Sequence, residues 1–217
     1  SMCYDSRNPQ LKKSCGPDCF FHHWPSASIS SFDIVKDKII EASSCKPEIE
    51  KIGWYGNIHS PLKDVPEFKT RPLLKQIGDL NPDLFEIVHV PANKINPKNS
   101  DYLSLPNLVK KYKFLIDIGG NGWSGRRKFL HFSKRPLLLV ERRYIEYFHD
   151  DMQPYIHYIP VKEDLSDLLE KANWLFKNDD KGKEIANNAY NFAIENFSKE
   201  KLAERIKQVY DNINNSK

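Results

Sequence analysis

The sequence predicts an α/β fold built on a Rossmann-like parallel sheet. Short apolar runs of strand length alternate along the chain with longer stretches of helical periodicity, which is the order that parallel sheets with helices on both faces require. One apolar run enters a turn that contains Gly119, Gly120 and Gly122. The 217 residues, 40% of them hydrophobic, suffice for one such domain with its own core.

The N-terminal segment differs from the rest of the chain. Residues 1–20 are polar and contain Pro, Gly and Cys, and we expect an irregular arm over 1–31 and a single domain over 32–217. Apolar residues at helical spacing predict the first helix of that domain over 32–43, with Ser31 as its N-cap.

Five apolar runs have the length and composition of buried strands. In chain order they are residues 51–56, 84–90, 113–118, 136–140 and a short run centred on 157–159. Periodic stretches between and after them predict further helices at 72–80, 105–112, 164–177, 179–196 and 199–214. Pro72 suits the first position of its helix, where the missing N–H is not needed.

The glycine turn indicates an anion site. It follows the apolar run Phe114–Ile118 and precedes a helix-like stretch that starts with Arg126 and Arg127. Backbone N–H groups of such a turn, a helix start and guanidinium groups all favour phosphate oxygens. The spacing matches neither the dinucleotide fingerprint nor the P-loop, so a diphosphate ligand is the better hypothesis. A glycine-rich loop without a ligand is the alternative.

Composition limits the partners. The chain has 33 basic and 29 acidic residues, a net charge of +4, which suits a small anionic ligand but not a nucleic-acid surface. No apolar stretch is long enough for a transmembrane segment. The first residues lack the apolar core of a secretory signal, and we expect a cytoplasmic protein that can also associate peripherally with a membrane.

All four cysteines lie near the N-terminus, at Cys3, Cys15, Cys19 and Cys45. Cys15 and Cys19 with the neighbouring His22 and His23 have tolerable zinc-ligand spacing, but a second regular pair is missing. Zinc ligation, a disulfide and free thiols all remain open, with free thiols favoured.

Three sequence motifs carry a family resemblance. KYKFLIDIGGNGWSGR (111–126), YIEYF (144–148) and QPYIHYIPVKEDLSDLLE (153–170) resemble the core of glycosyltransferase family 90, and GWYGN (53–57) and WPSASISSFD (24–33) extend the resemblance over most of 20–215. The resemblance implies the donor-binding half of a GT-B glycosyltransferase. It also implies a UDP-sugar as co-substrate, no other cofactor and no metal requirement.

The resemblance assigns the donor site residue by residue. Arg71 and Arg126 correspond to positions that contact the diphosphate, and residues 82–86 to positions that frame the nucleoside. The complete set expected to contact the UDP-sugar is Trp24, Asn57, Arg71, Pro82, Asp83, Leu84, Phe85, Glu86, Asn121, Gly122, Trp123, Ser124 and Arg126.

Several of these residues have a purely structural alternative. Arg71 before Pro72 could be a solvated loop arginine, and Trp24 and Trp123 could fill the core. Arg126 is expected to be exposed at a helix start, so that its loss would leave the unliganded fold as stable as before. His157 is expected to pack in a strand rather than to act as a base.

The resemblance further implies transfer of the sugar to a hydroxyl of a glycan, lipopolysaccharide or protein, usually with inversion. In the protein O-glucosyltransferases the base is an Asp of the N-terminal half, and nothing here aligns with that half. The upstream candidates are Asp5, Asp18, His22, His23 and Asp33, none within a motif. A non-catalytic UDP-sugar-binding module that lacks the acceptor half is therefore the alternative function.

Overall fold

The structure is a computed structural model that describes residues 3–17, 21, 31–59, 69–91, 103–120 and 122–215. Five predicted site or base residues lie outside the described residues: Asp18, His22, His23, Trp24 and Asn121.

Within the described residues the chain forms two sheets. The strands are β1 (Cys3–Asp5), β2 (Ile49–Gly56), β3 (Phe85–His89), β4 (Tyr112–Asp117), β5 (Leu137–Val140), β6 (Tyr144–Glu146) and β7 (Ile159–Val161). Strands β1 and β6 pair as a small antiparallel ribbon, and the other five form one parallel sheet in the order β3-β2-β4-β5-β7. This sheet confirms the predicted α/β fold class.

The strand order creates a crevice at one edge of the sheet. After β2 the chain moves outward to β3, then returns to the other side of β2 to form β4. The connections that leave the carboxyl ends of β2 and β4 therefore diverge. Open parallel sheets bind ligands at this topological switch point.

Helices cover both faces of the parallel sheet. They are α1 (Phe32–Ser43), α2 (Thr70–Leu80), α3 (Leu105–Lys111), α4 (Arg127–Leu130), α5 (Leu168–Lys177), α6 (Asp179–Asn196) and α7 (Lys199–Asn214). Side chains of α1 and α3 pack in one apolar core and those of α2 and α5 in the other. Along β2, Ile52 and Trp54 enter the second core and Tyr55 the first, as the alternation of a strand requires.

One glycine fixes how closely two strands pack. A Cβ built at Gly53 in β2 would come within 2.0 Å of the ring of Tyr112, at the start of β4. Tyr112 is fully buried. Its ring therefore occupies the space that any larger residue at position 53 would need.

Most predicted elements are confirmed, with shifted ends. Helix α2 begins at Thr70 rather than at Pro72, and strand β7 lies two residues beyond its predicted centre. Helix α5 begins only at Leu168, because residues 164–167 form a turn in which Leu165 has a φ of 59°. The arm was predicted to be irregular, but residues 3–14 contain β1 and a short 3₁₀ helix.

The described helices are not of the membrane-spanning kind. None of them combines the length and the apolar composition that crossing a bilayer requires.

Candidate functional site

Three arginines surround one buried carboxylate at the crevice. Asp117, the last residue of β4, is fully buried. Its Oδ2 accepts a hydrogen bond from Nη2 of Arg142 at 2.9 Å, and its Oδ1 lies 3.3 Å from Nε of Arg126. The charge of Asp117 also acts on the nearby guanidinium of Arg71. We call Arg71, Arg126, Arg142 and Asp117 the arginine cluster.

Arg71 lies directly across the switch point. Its Nη1 donates to the carbonyl of Asn57, just after β2, at 2.9 Å. Its Nε donates to the carbonyl of Gly119, just after β4, at 2.8 Å. One guanidinium thus bridges the two diverging connections, and Arg71 is not the solvated loop arginine of the alternative interpretation.

Trp54 supports two of the arginines. The guanidinium carbons of Arg71 and Arg126 lie 5.6 Å and 5.2 Å from the centroid of its ring, within the range of cation–π attraction. Arg126 also donates to the carbonyl of Tyr55 at 2.8 Å and is only about one-fifth exposed. The sequence-based expectation of an exposed Arg126 is therefore wrong, because its side chain folds back over β2.

The charges of the arginine cluster do not balance. Burial disfavours the charged form of Asp117, but the charges of Arg142 and Arg126 outweigh it and lower the pKa of this carboxyl to about 2. Burial, followed by the charge of Arg126, lowers the pKa of Arg71 to about 10. Both groups remain charged at neutral pH, so three guanidiniums face one carboxylate. The excess positive charge favours binding of an anion.

The glycine turn lets Arg71 approach its backbone. A Cβ at Gly120 would lie 2.7 Å from Nη2 of Arg71, so a side chain there would displace the guanidinium. No described glycine has a positive φ. The requirement for glycine at position 120 is therefore one of space rather than of backbone conformation.

Arg127 has a structural role, contrary to the sequence-based expectation that it adds charge at the anion site. Its side chain is fully buried and donates to Glu146 and to His149, each at 2.8 Å. Glu146 in turn accepts from the backbone N–H of Ser124 at 3.2 Å. Helix α4 has only four residues, too few for the expected helix-dipole contribution. This buried network holds the loop that carries Ser124.

A large cleft adjoins the arginine cluster. It has a volume of about 1260 Å³ and lies at the carboxyl ends of β5 and β7. Its walls include Arg142, Tyr155, Glu163 and Asp164. Tyr155 is 41% exposed and has a φ of 60°, a conformation that costs energy in a non-glycine residue. We call this space the lateral cleft.

The structure separates one predicted group from the others. Pro82, Asp83 and Leu84 form the turn that precedes β3, and Phe85 and Glu86 begin that strand. Phe85 is buried in the core, and Glu86 pairs with Lys111 and Tyr112. These residues lie at the amino end of β3, whereas the arginine cluster lies at the carboxyl ends. Their position argues against the expected contact with a nucleoside at the arginine cluster.

The other predicted residues lie near the cluster. The hydroxyl of Ser124 donates to Asp117 at 2.8 Å, and the carbonyl of Asn57 accepts from Arg71. The side chain of Asn57 is used locally, accepting from the N–H of His59. Gly122 and Trp123 are half-buried in the loop between β4 and α4. The ligand contacts of all these residues stay predictions.

Sequence reasoning missed Asp117, Arg142 and the supporting ring of Trp54. Each lies in or just after a predicted apolar run, and such a run predicts buried core residues and not a ligand site. The available signal was positional: Asp117 ends β4, and Arg142 follows β5 by two residues. Polar residues at the carboxyl ends of parallel strands are candidates for the site.

The described base candidates are both ion-paired. A hydrogen bond from Arg7 and a second from Arg143 lower the pKa of Asp5, and a hydrogen bond from Lys36 lowers that of Asp33. A lowered pKa makes each carboxylate a weaker base. His157 accepts from the backbone of Gln153 and packs against Phe192, but it lies in a turn before β7 and not in a strand as expected.

The cysteines and potential metal ligands form no metal centre within the described part of the chain. No group of three or more His, Cys, Asp or Glu there has suitable geometry for a metal ion. Cys15 is a buried free thiol and Cys45 an exposed one. Cys19 of the proposed zinc pattern lies outside the described residues, as do both of its histidines.

Comparison with known families gives one match over most of the chain. The sequence profile described as Glycosyl transferase family 90 matches residues 17–211. Protein O-glucosyltransferase 3 of Rattus norvegicus is 38% identical over 76 residues, which are 35% of this chain and 15% of that protein. Uncharacterized protein 179R of Invertebrate iridescent virus 6 is 36% identical over 112 residues, 48% of this chain and 9% of that protein. The matches thus span less than a fifth of either relative.

Among solved structures, HepE of Anabaena in complex with UDP-glucose superposes with a TM-score of 0.47 at 13% identity, covering 82% of this chain and 44% of that one. TarM superposes with a TM-score of 0.47 at 17% identity, covering 86% of this chain and 33% of TarM.

Proposed function

The chain belongs to glycosyl transferase family 90, and we propose that it binds a UDP-sugar with the diphosphate on the arginine cluster. In this proposal the chain is the donor-binding half of a GT-B enzyme. The donated sugar is a hexose or a xylose, and the acceptor is a hydroxyl of a glycan, lipopolysaccharide or protein.

One observation carries the proposal. Arg126 and Arg142 pair with a single carboxylate at the topological switch point, and the nearby Arg71 links the two connections that diverge there. With three guanidiniums and one carboxylate, this group holds an excess of positive charge. A diphosphate supplies the missing negative charge, and guanidinium matches its oxygens in geometry.

The lateral cleft suits the nucleoside. Its volume is about 1260 Å³, compared with about 460 Å³ for a second cavity that Glu86 and Tyr112 line. Its walls mix carboxylates such as Glu163 with the ring of Tyr155. Carboxylates accept hydrogen bonds from hydroxyls, and aromatic rings stack on bases. This arrangement replaces the nucleoside contacts expected from residues 82–86.

The chemistry follows from charge stabilisation. When the glycosidic bond of the donor breaks, negative charge develops on the β-phosphate of the leaving UDP. Arg71 and Arg126 lie close to the glycine turn and are held there by hydrogen bonds. Preorganised donors of this kind lower the barrier to charge development. We propose a metal-independent transfer with inversion at the anomeric carbon.

A binding module without transferase activity is the second candidate. Asp5 and Asp33 are held in ion pairs, and a transferase needs a base to deprotonate the acceptor hydroxyl. This observation favours donor binding with weak turnover for the chain by itself. Asp18, His22 and His23 remain the alternative bases.

The test separates binding from turnover. Calorimetry should show binding of UDP and UDP-glucose, and Arg71→Ala should weaken both equally. Released UDP is then measured from UDP-glucose and UDP-xylose, with and without glycan, lipopolysaccharide and protein acceptors. Acceptor-dependent release supports the transferase, whereas binding without release supports the module. Absence of UDP binding would refute both.

A further inference from the structure

Arg142 has a buried donor that no group in the described part of the chain satisfies. Its side chain is 7% exposed. Nη2 donates to the carboxylate of Asp117 at 2.9 Å and Nε lies 3.3 Å from the carbonyl of Val140, but Nη1 is buried and has no hydrogen-bond partner among the described residues. A buried unpaired donor of a charged group is costly. The fold tolerates this cost in a residue that lies at the proposed ligand site.

Arg142 lies between the two parts of that site. It contributes to the wall of the lateral cleft and to a small cavity of about 20 Å³, which the glycine turn, Arg143 and the carboxylates Glu141 and Glu163 also line. A volume of this size holds one water-sized group, such as a single phosphate oxygen. Arg71 and Arg126 line neither space. Both guanidiniums lie over Trp54, and Arg71 also contacts the glycine turn at Gly119 and Gly120.

This order along the site matches the order of groups in a nucleoside diphosphate. With the nucleoside in the lateral cleft, the phosphate attached to the ribose reaches Arg142 first. The terminal phosphate then reaches Arg71 and Arg126. The hydrogen bonds to Asp117 hold Arg142 in place, so that Nη1 is available without reorganisation.

We propose that Arg142 binds the α-phosphate of the donor through Nη1, while Arg71 and Arg126 bind the β-phosphate. The inference rests on the proposed binding of a UDP-sugar and assigns a separate arginine to each phosphate. Arg142 thereby connects recognition of the nucleotide to the group that leaves.

The experiment compares uridine, UMP and UDP by calorimetry on the folded chain. Arg142→Met should weaken UMP and UDP by the same factor, about 10- to 100-fold, which is the value of a hydrogen bond to a charged group. Uridine affinity should not change. Arg71→Ala should weaken UDP but not UMP. Arg142→Lys retains a positive charge beside Asp117 but lacks the second nitrogen. Compared with Arg142→Met, it should regain more of the folding stability than of the affinity for UMP and UDP. It therefore serves as the test variant if Arg142→Met fails to fold.

Three results would overturn the assignment. Unchanged UMP and UDP affinities in both Arg142 variants would mean that Arg142 serves only Asp117. A loss confined to UDP would place Arg142 at the β-phosphate. If the unmodified chain binds no UDP, the proposed function itself fails and the assignment fails with it.

Discussion

The guanidinium of Arg71 lies so close to Gly120 that a Cβ at position 120 would be 2.7 Å from Nη2. Gly120→Ala should therefore displace Arg71 and weaken UDP binding at least about tenfold, the lower end for a hydrogen bond to a charged group. The clashing atom ends a flexible side chain, so the free energy of unfolding should fall by only about 1–2 kcal/mol, for two lost hydrogen bonds. Calorimetry and thermal unfolding measure the two effects.

Gly16→Ala is the matched control for that substitution. A Cβ at Gly16 would meet only Val209, at an ordinary contact distance of 3.5 Å. The UDP affinity of Gly16→Ala should equal that of the unmodified chain. Equal affinities for the Gly120 and Gly16 variants would contradict the role given to Arg71.

Removal of the Arg71 side chain tests the bridge directly. Arg71→Ala should weaken UDP binding by about 1.5–3 kcal/mol, because a hydrogen bond to a phosphate oxygen is charge-assisted. Arg135→Ala is the control, since Arg135 also donates to two backbone carbonyls, those of Val109 and Cys45, outside the arginine cluster. Titration calorimetry on both variants should separate them, and a similar loss in each would argue against a phosphate role.

Arg126 should contribute both to the stability of the fold and to the binding of UDP. Arg126→Ala removes an ion pair with Asp117 and a hydrogen bond to Tyr55, so we expect a loss of about 2 kcal/mol in unfolding free energy. UDP affinity should fall as well. Asp117→Asn should lessen the stability effect of Arg126→Ala, because the two residues interact. Additive effects in denaturant unfolding would show that they are independent.

Asp117 should make stability depend on pH. Its pKa is lowered to about 2 from the ordinary value of 3.8. The ionised carboxylate therefore stabilises the folded state fully above about pH 4, and this stabilisation is lost as the pH falls through 2. Asp117→Asn should be markedly less stable than the unmodified chain at pH 7. The difference in unfolding free energy between the unmodified chain and Asp117→Asn should become smaller by about 2 kcal/mol from pH 5 to pH 2. Denaturant titrations across this range would measure it, and a constant difference would contradict the shift.

Donor binding should not require a divalent cation. Guanidiniums and backbone N–H groups can neutralise the diphosphate in place of a metal, so UDP affinity should be the same with and without EDTA. The measurement is a UDP titration in EDTA, repeated with added manganese. A loss of affinity that manganese restores would refute the metal-independent proposal.

Local sequence patterns predicted the sheet and its helices well. Apolar runs such as 113–118 and 136–140 became β4 and β5, and the periodic stretches 179–196 and 199–214 became α6 and α7 with the same bounds. Strands and helices of this kind depend on residues that are close together in the chain, so their pattern can be seen in the sequence. The ends that shifted, such as the start of α5 at Leu168, depend on a turn with a positive φ at Leu165.

The site was only partly predictable. Motif resemblance identified Arg71, Ser124 and Arg126, which the structure brings to the crevice together with Asp117. It also assigned residues 82–86 to the nucleoside, although they precede a strand and lie at its opposite end. A motif gives the order of residues along the chain, but not the edge of the sheet to which they belong.

The sequence by itself determined the fold class, the order of the elements and the family resemblance, because periodicity and motif are properties of adjacent residues. Only the tertiary structure decided which charges meet. Arg71, Asp117 and Arg142 lie in separate segments, and they converge because β4 pairs with both β2 and β5. The strand order therefore decides that three guanidiniums and one carboxylate lie together, since it brings distant segments to one edge of the sheet.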